Sequence, residues 1–261
     1  MEEKKYAVVT GASAGIGMHL AKGLAQRGYN LILVARREER LKQLAEDLSQ
    51  QYGTQSLVLP CDLSKTKECE RLMQEIGDYP VEVFINNAGF GDCSTFVTGD
   101  LQKELDMIDV NVKAMHTLTK LILQKMQKAD SGYILNIASS AGLIPAGPYM
   151  ATYYATKAYV TSLTQAVARE LKETKSNIYI GCVCPGPVDT EFNRVANVEF
   201  SLPGISAEYC ARYSLKKMFC KKTVIIPTLT MKLALFGVRL IPRKWYIALT
   251  AGQQKKKLFR G

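Results

Sequence analysis

The chain has 261 residues, 47% of them apolar, ample for a substantial core, and no Pro/Gly/Ser-rich linker divides it. Its net charge of +10 is uneven: every Asp and Glu lies at or before Glu208, whereas thirteen Lys/Arg follow it, leaving residues 1–208 slightly acidic at −3. Seven scattered cysteines without a Cys-x-x-Cys pair, and only two histidines (His19, His116), argue against a disulfide framework or a Cys/His metal site.

The expectation is therefore one domain over residues 1–261, with reduced thiols and a cytoplasmic setting. The N-terminus lacks the apolar stretch and cleavage site of a signal peptide, and no uncharged apolar run reaches eighteen residues, so neither a leader nor a spanning helix is predicted.

Tyr6-Ala7-Val8-Val9 reads as a strand that turns at Thr10-Gly11, and Ile16 to Gln26 has helical spacing. Leu31 to Val34 is a second buried strand, followed by a charged helix from Glu38 to Gln50. Leu57 to Leu59 runs to Asp62, and Thr66 to Glu75 is the next helix. Val81 to Ile85 then meets Asn86-Asn87-Ala88-Gly89. Gly132 to Ile137 and Ile178 to Val183 are further strands, separated by long helical segments. Continuous apolar strands alternating with amphipathic helices predict an α/β fold: one Rossmann-like, doubly wound parallel sheet with helices on both faces. Ligands of such sheets bind beyond the carboxyl ends of the strands, where the polar and glycine-rich stretches fall here.

Thr10-Gly11-Ala12-Ser13-Ala14-Gly15-Ile16-Gly17 follows the first strand and opens a helix. Glycines at 11, 15 and 17 permit a tight turn and close approach of a pyrophosphate, which the helix N-terminus attracts. Sites for NAD commonly carry an acid about twenty residues on, at the ribose 2′-hydroxyl. The second strand ends instead in Ala35-Arg36-Arg37, whose guanidinium groups suit a 2′-phosphate, with Ser13 as an added hydroxyl donor. The cofactor expected is NADP(H).

Tyr153 and Lys157 stand one helical turn apart in a segment running to Lys172, and Ser140 follows the strand Ile134 to Ile137. An ammonium beside a phenol favours the phenolate, so Lys157 is expected to lower the Tyr153 pKa toward the working range. Together with Asn111, these residues form a candidate catalytic set. The chain resembles the short-chain dehydrogenase/reductases over nearly its whole length. The pieces that carry the resemblance are Thr10-Gly11-x-x-x-Gly15-Ile16-Gly17, Asp62-Leu63, Asn86-Asn87-Ala88-Gly89, Asn111, Ser140, Tyr153-x-x-x-Lys157 and Pro185-Gly186, in that order.

The resemblance implies a serine thirteen residues before the tyrosine, which selects Ser140 and leaves Ser139 and Tyr154 as neighbours, Ser139 lining the cofactor site. It implies that Tyr153 protonates a carbonyl oxygen, that Ser140 orients it, that Lys157 holds the nicotinamide ribose, and that Asn111 anchors a proton-relaying water. It places Asp62 and Leu63 near the adenine, Asn87 to Gly89 along the cofactor, and Pro185, Gly186, Val188 and Thr190 beside the nicotinamide. It also implies a homodimer or homotetramer, paired through helices near 101–128 and 153–172. The substrate expected is a small apolar carbonyl or alcohol, of 3-oxoacyl thioester or hydroxysteroid kind. A rival reading, an idle NADP(H)-binding sensor or scaffold at a membrane, has no need of an acid–base tyrosine.

Residues 191–215, with Phe192, Phe200, Leu202, Pro203 and Ile205, are expected to form a substrate lid, and residues 216–261 a basic amphipathic extension. On a helical wheel Lys232, Arg239 and Arg243 share one face of an otherwise apolar run ending at Pro242, before Trp245 and Lys255-Lys256-Lys257. Such a segment suits an anionic membrane surface, a phosphorylated or acidic carrier, or a sister subunit. Nothing in it reads bases, so no nucleic-acid partner is expected.

Overall fold

The computed structural model describes residues 5–196, 204–238 and 240–258. Five apolar segments form the centre of a parallel sheet: β1 (Tyr6–Thr10), β2 (Asn30–Ala35), β4 (Val81–Asn86), β5 (Tyr133–Ile137) and β6 (Tyr179–Val183). β3 (Ser56–Pro60) closes one edge and β9 (Val224–Ile225) the other, giving the order β3-β2-β1-β4-β5-β6-β9. All pairings are parallel, including Val8 with Ile32 and Phe84, and Cys182 with Val224.

Strand alternation sorts the apolar residues onto two faces. Ala7, Val9, Leu31, Leu33 and Ile85 pack against one helical layer: α1 (Gly15–Ala25), α2 (Glu38–Tyr52) and, later in the chain, α8 (Ala207–Phe219). Val8, Ile32, Phe84, Ile134 and Ile180 pack against the other, made by α3 (Thr66–Ile76), α5 (Met115–Gln127) and α6 (Ala151–Glu173). α5 continues from α4 (Leu101–Ile108) through a π-helical stretch, Asp109–Ala114. β1 pairs with β2 on one side and β4 on the other, so strand order reverses at β1. A crevice opens there beyond the carboxyl ends.

Three expectations for the later part of the chain change. Ile205 lies in β8 (Ile205–Ser206), paired with β7 (Val188–Asp189), and packs on the main core instead of covering a ligand. Among the described residues between these two strands the chain makes a helical turn, α7 (Phe192–Val195). α8 is likewise core: Cys210, Leu215 and Met218 are fully buried, and Leu215 presses so close to α1 that a Cβ on Gly23 would lie 2.7 Å from its Cδ1. Residues 216–226 complete α8 and supply β9, so the part outside the sheet body begins after Ile225. The run to Pro242 is not continuous with the last helix. α9 (Leu229–Val238) ends before Pro242, whose carbonyl accepts from the amides of Trp245 and Tyr246 as α10 (Arg243–Leu258) starts. Arg243 therefore shares no helical face with Lys232. Arg239, Phe200, Leu202 and Pro203 lie outside the described residues.

Candidate active site

One cavity of about 790 Å³ occupies the crevice. Its lining brings together almost every residue singled out from sequence: Gly11, Ser13, Gly15, Ile16, Arg36, Arg37, Asp62, Leu63, Asn87, Ala88, Gly89, Ser140, Tyr153, Lys157, Pro185, Gly186, Val188 and Thr190. Gly17 and Asn111 stand behind that surface. A Cβ on Gly17 would lie 2.3 Å from the Gly11 carbonyl, so this glycine lets the first turn of α1 close on the loop. Gly11 and Gly15 have φ of +65° and +55°, conformations that side chains with a Cβ resist. The N-cap of α1 is Ala14, which offers no side-chain cap, so the first amides of the helix are left for a ligand.

The loop is braced from β4. Asn87 Nδ2 donates to the carbonyls of Thr10 and Gly11 at 2.9 and 3.2 Å, and Thr10 Oγ1 accepts from the amides of Asn87 and Ala88. At the end of β2, Arg37 donates to Ser13 Oγ from Nε and Nη2. Its Nη1 reaches Glu191 at 2.9 Å, and Arg40 donates to the other oxygen of the same carboxylate at 2.8 Å. This pair of guanidinium groups holds the Glu191 carboxyl down to about 2, Arg40 first and then Arg37. No sequence motif marks Arg40 or Glu191.

The catalytic set is placed by α6 and by the turn after β5. Lys157 is fully enclosed, donates to the Ile137 carbonyl at 3.0 Å, and lies 5.9 Å from the centre of the Tyr153 ring. Burial lowers its pKa to about 8. Tyr153 moves against expectation: burial pushes its hydroxyl up to about 12, and the opposing influence is a hydrogen bond from Ser139, not the lysine. Ser139 also stands against the tyrosine. Ser139 caps the short turn Ser140–Leu143, its Oγ accepting from the Ala141 amide, which leaves its O–H to donate to Tyr153. Ser140 lines the cavity while its amide is bonded to the Pro185 carbonyl. Both serines thus line the cavity, and Ser139, one residue before the position the interval selects, is the one that bears on the Tyr153 hydroxyl.

Asn111 sits in the π-helical stretch, buried. Its Nδ2 donates to the Phe90 carbonyl and Thr156 Oγ1, and its Oδ1 accepts from the Phe90 amide. The side-chain amide thus tethers the β4 loop to α6. Beneath Lys157, Cys184 has its thiol held below the ordinary range, first by a hydrogen bond from Cys182 at 3.9 Å and then by Thr161 and the lysine.

The far end of the cavity is apolar. Phe90, Ile144, Met150 and Phe192 contribute, with the Phe192 ring 5.6 Å from that of Tyr153. Beside Phe192 of the expected lid, elements further along the chain roof the cavity: Met231 and Ala234 of α9, and Tyr246 and Gln254 of α10. Gln254 Nε2 donates to the Tyr154 hydroxyl at 2.6 Å, pinning α10 to α6.

Comparison with known proteins agrees with this architecture. The family model for short chain dehydrogenases matches residues 5–199. A very-long-chain 3-oxoacyl-CoA reductase of Anas platyrhynchos is 33% identical over 203 residues, covering 76% of this chain but 64% of the duck protein. A short-chain dehydrogenase from Sphingobium yanoikuyae, solved in complex with NADPH, superposes with a TM-score of 0.81 at 30% identity, over 91% of this chain and 94% of that one. A short chain dehydrogenase/reductase from Burkholderia phymatum, solved with NAD, has the same TM-score at 23% identity, over 97% of this chain and 98% of its own, and shows the shared fold alone. With three quarters of its length under one family model, the chain belongs to the short-chain dehydrogenase family of oxidoreductases.

Proposed function

We propose that the chain is an NADP(H)-dependent oxidoreductase acting between the nicotinamide and an apolar carbonyl or alcohol substrate, of 3-oxoacyl thioester or hydroxysteroid kind. The observation that carries the reading is the Tyr153 hydroxyl, buried, bonded to Ser139, and sharing one cavity with a glycine turn and an apolar roof. The residues fit a phosphorylated dinucleotide. The uncapped N-terminus of α1 suits its pyrophosphate, and Ser13, Arg36 and Arg37 suit a 2′-phosphate. Asp62 and Leu63 would flank the adenine, and Pro185, Gly186, Val188 and Thr190 the nicotinamide.

When bound, the nicotinamide supplies or takes up the hydride. Burial keeps Tyr153 protonated at neutral pH, the form that gives a proton to a carbonyl oxygen during reduction. Ser139 donates to the tyrosine oxygen and so stabilises the phenolate left behind. Lys157, with its pKa brought to about 8, exchanges protons near neutrality and can restore the tyrosine. Asn111 keeps α6 registered on the β4 loop. Pairing of subunits through residues 101–127 and α6 belongs to the same reading, supported by the exposure of Leu105 and Tyr159 on those helices.

The test is NADPH consumption against a panel of 3-oxoacyl thioesters and ketosteroids, beside NADH. Turnover with NADPH that vanishes in Tyr153→Phe while cofactor still binds is the expected result; near-normal activity in that variant, or a preference for NADH, overturns the assignment.

A further inference from the structure

α9 and α10 each carry two apolar faces. Inward, Met231, Ala234 and Tyr246 roof the cavity. Outward, α9 presents Leu229, Leu233 and Phe236, at spacings of four and three, with 69%, 63% and 61% of each side chain's surface exposed. The connection adds Leu240 and Ile241, and α10 adds Trp245 and Leu249, one turn apart. These seven are nearly half of the fifteen large apolar side chains exposed among the described residues, gathered within 21 positions. Patches of this kind on a folded chain mark contact surfaces.

The charge around the patch indicates what meets it. Lys232, Arg243 and Lys244 are exposed on the same helices, Lys232 resting on the Tyr213 hydroxyl, and no Asp or Glu follows Glu208 anywhere in the sequence. A second copy docking through this face would set an acid-free cationic surface against itself. An anionic bilayer complements it, since apolar side chains enter the acyl boundary while lysine and arginine stems reach the headgroups. Trp245 is the residue type that favours that boundary. Among the described residues no helix is long and apolar enough to cross a membrane, so the pair would lie in the surface plane.

We propose that α9 and α10 form a membrane-docking surface for anionic bilayers, and that the cavity they roof takes its apolar substrate from the lipid phase. The docking stands on the surface alone; the supply route rests on the apolar substrate proposed above. Trp245 is the only tryptophan of the chain, so its fluorescence reports this surface directly.

The experiment mixes the full chain with vesicles of phosphatidylcholine, alone or with phosphatidylglycerol in equal parts, and follows Trp245 emission and flotation. The expected result is a blue shift and co-flotation with the mixed vesicles. Lys244→Gln should weaken that partition by about fivefold, the effect of one cation at an anionic surface. The exposed-side triple variant Leu233→Ser, Phe236→Ser, Leu249→Ser should abolish it while the thermal midpoint is kept. Absence of shift and flotation with both vesicle types overturns the proposal. So does a triple variant that only splits an oligomer seen by size exclusion, which would assign the face to a second copy. For the supply route, the triple variant should lose turnover of a ketone held in vesicles and keep that of a short water-soluble ketone; equal loss of both overturns it. Vesicle binding is read without turnover, so failure of the enzymatic reading leaves the docking result standing.

Discussion

Arg37 holds Glu191 at 2.9 Å across the cavity mouth, with Arg40 gripping the second oxygen of the same carboxylate. Arg37, one of the groups proposed for a 2′-phosphate, is therefore paired with an internal anion, which such a phosphate would have to displace and NAD(H) would not. Glu191 is about two-fifths exposed, so solvent screens the pair to roughly 0.2–1 kcal/mol. Glu191→Gln should tighten NADPH by up to about fivefold, with little change for NADH, in a titration of cofactor fluorescence. Because the carboxyl is held to about 2, this competition is fully present above the ordinary carboxylate pKa and fades only as pH falls through 2. The NADPH advantage of the variant should accordingly be flat between neutrality and mild acid.

Ser139 and Ser140 make a second, discriminating pair. Ser139→Ala removes the donor to the Tyr153 oxygen and should lower kcat by about 10²–10³, as loss of one donor at developing charge does. Ser140→Ala should stay within a few-fold of the parent, since its backbone bond to Pro185 survives the change. Equal losses in both variants would return the role to Ser140.

The adjacent serines show how far sequence carries. The sheet was legible because its strands are continuous apolar runs and its helices amphipathic, and local pattern decides both. The glycine end of the cavity was legible because a glycine turn, an arginine pair and the Asn87 segment each line it from where they stand in the chain. Ser139 was not, because one residue of loop length between β5 and α6 decides which hydroxyl faces Tyr153, and an interval alone does not measure that path. The rise of the Tyr153 pKa was missed because its enclosure comes from residues scattered along the chain, among them Phe90, Met107 and Phe192. The roof was missed for the same reason. Met231 and Gln254 come to the cavity from far along the chain, and only the packing of α8 on α1 and of β8 beside β7 shows that α8 and Ile205 belong to the core.

Gln254 and Tyr154 fasten that roof. The hydrogen bond joins residues a hundred positions apart at a buried site. Gln254→Ala leaves the tyrosine hydroxyl enclosed without its partner, a loss of about 1–3 kcal/mol, and loosens α10 over the cavity. Expected outcomes are a raised KM for the apolar substrate with kcat changed little, and faster proteolytic clipping within residues 229–258. A variant with unchanged KM and unchanged clipping would show that α10 is held by its apolar contacts alone.

Lys157 gives a prediction whose sign runs against intuition. Its pKa falls from 10.5 to about 8 on folding because burial penalises the ammonium. Below pH 8 both folded and unfolded chains carry the proton, and the full penalty weighs on the fold. Between about 8 and 10.5 the unfolded chain binds more protons, so this group makes stability rise with pH across that window. Every tenfold loss of proton affinity corresponds to about 1.4 kcal/mol, giving roughly 3 kcal/mol of burden at neutral pH as an upper bound. Replacing the lysine by methionine removes the charge and keeps the volume, but strands the Ile137 carbonyl at a cost of about 1 kcal/mol or more. Lys157→Met should therefore be inactive yet more stable than the parent by about 1–2 kcal/mol at pH 7. That advantage should shrink steadily toward pH 10. Denaturant titrations at several pH values measure it, and a variant less stable than the parent at pH 7 would show that the ammonium is offset by interactions stronger than its single carbonyl bond.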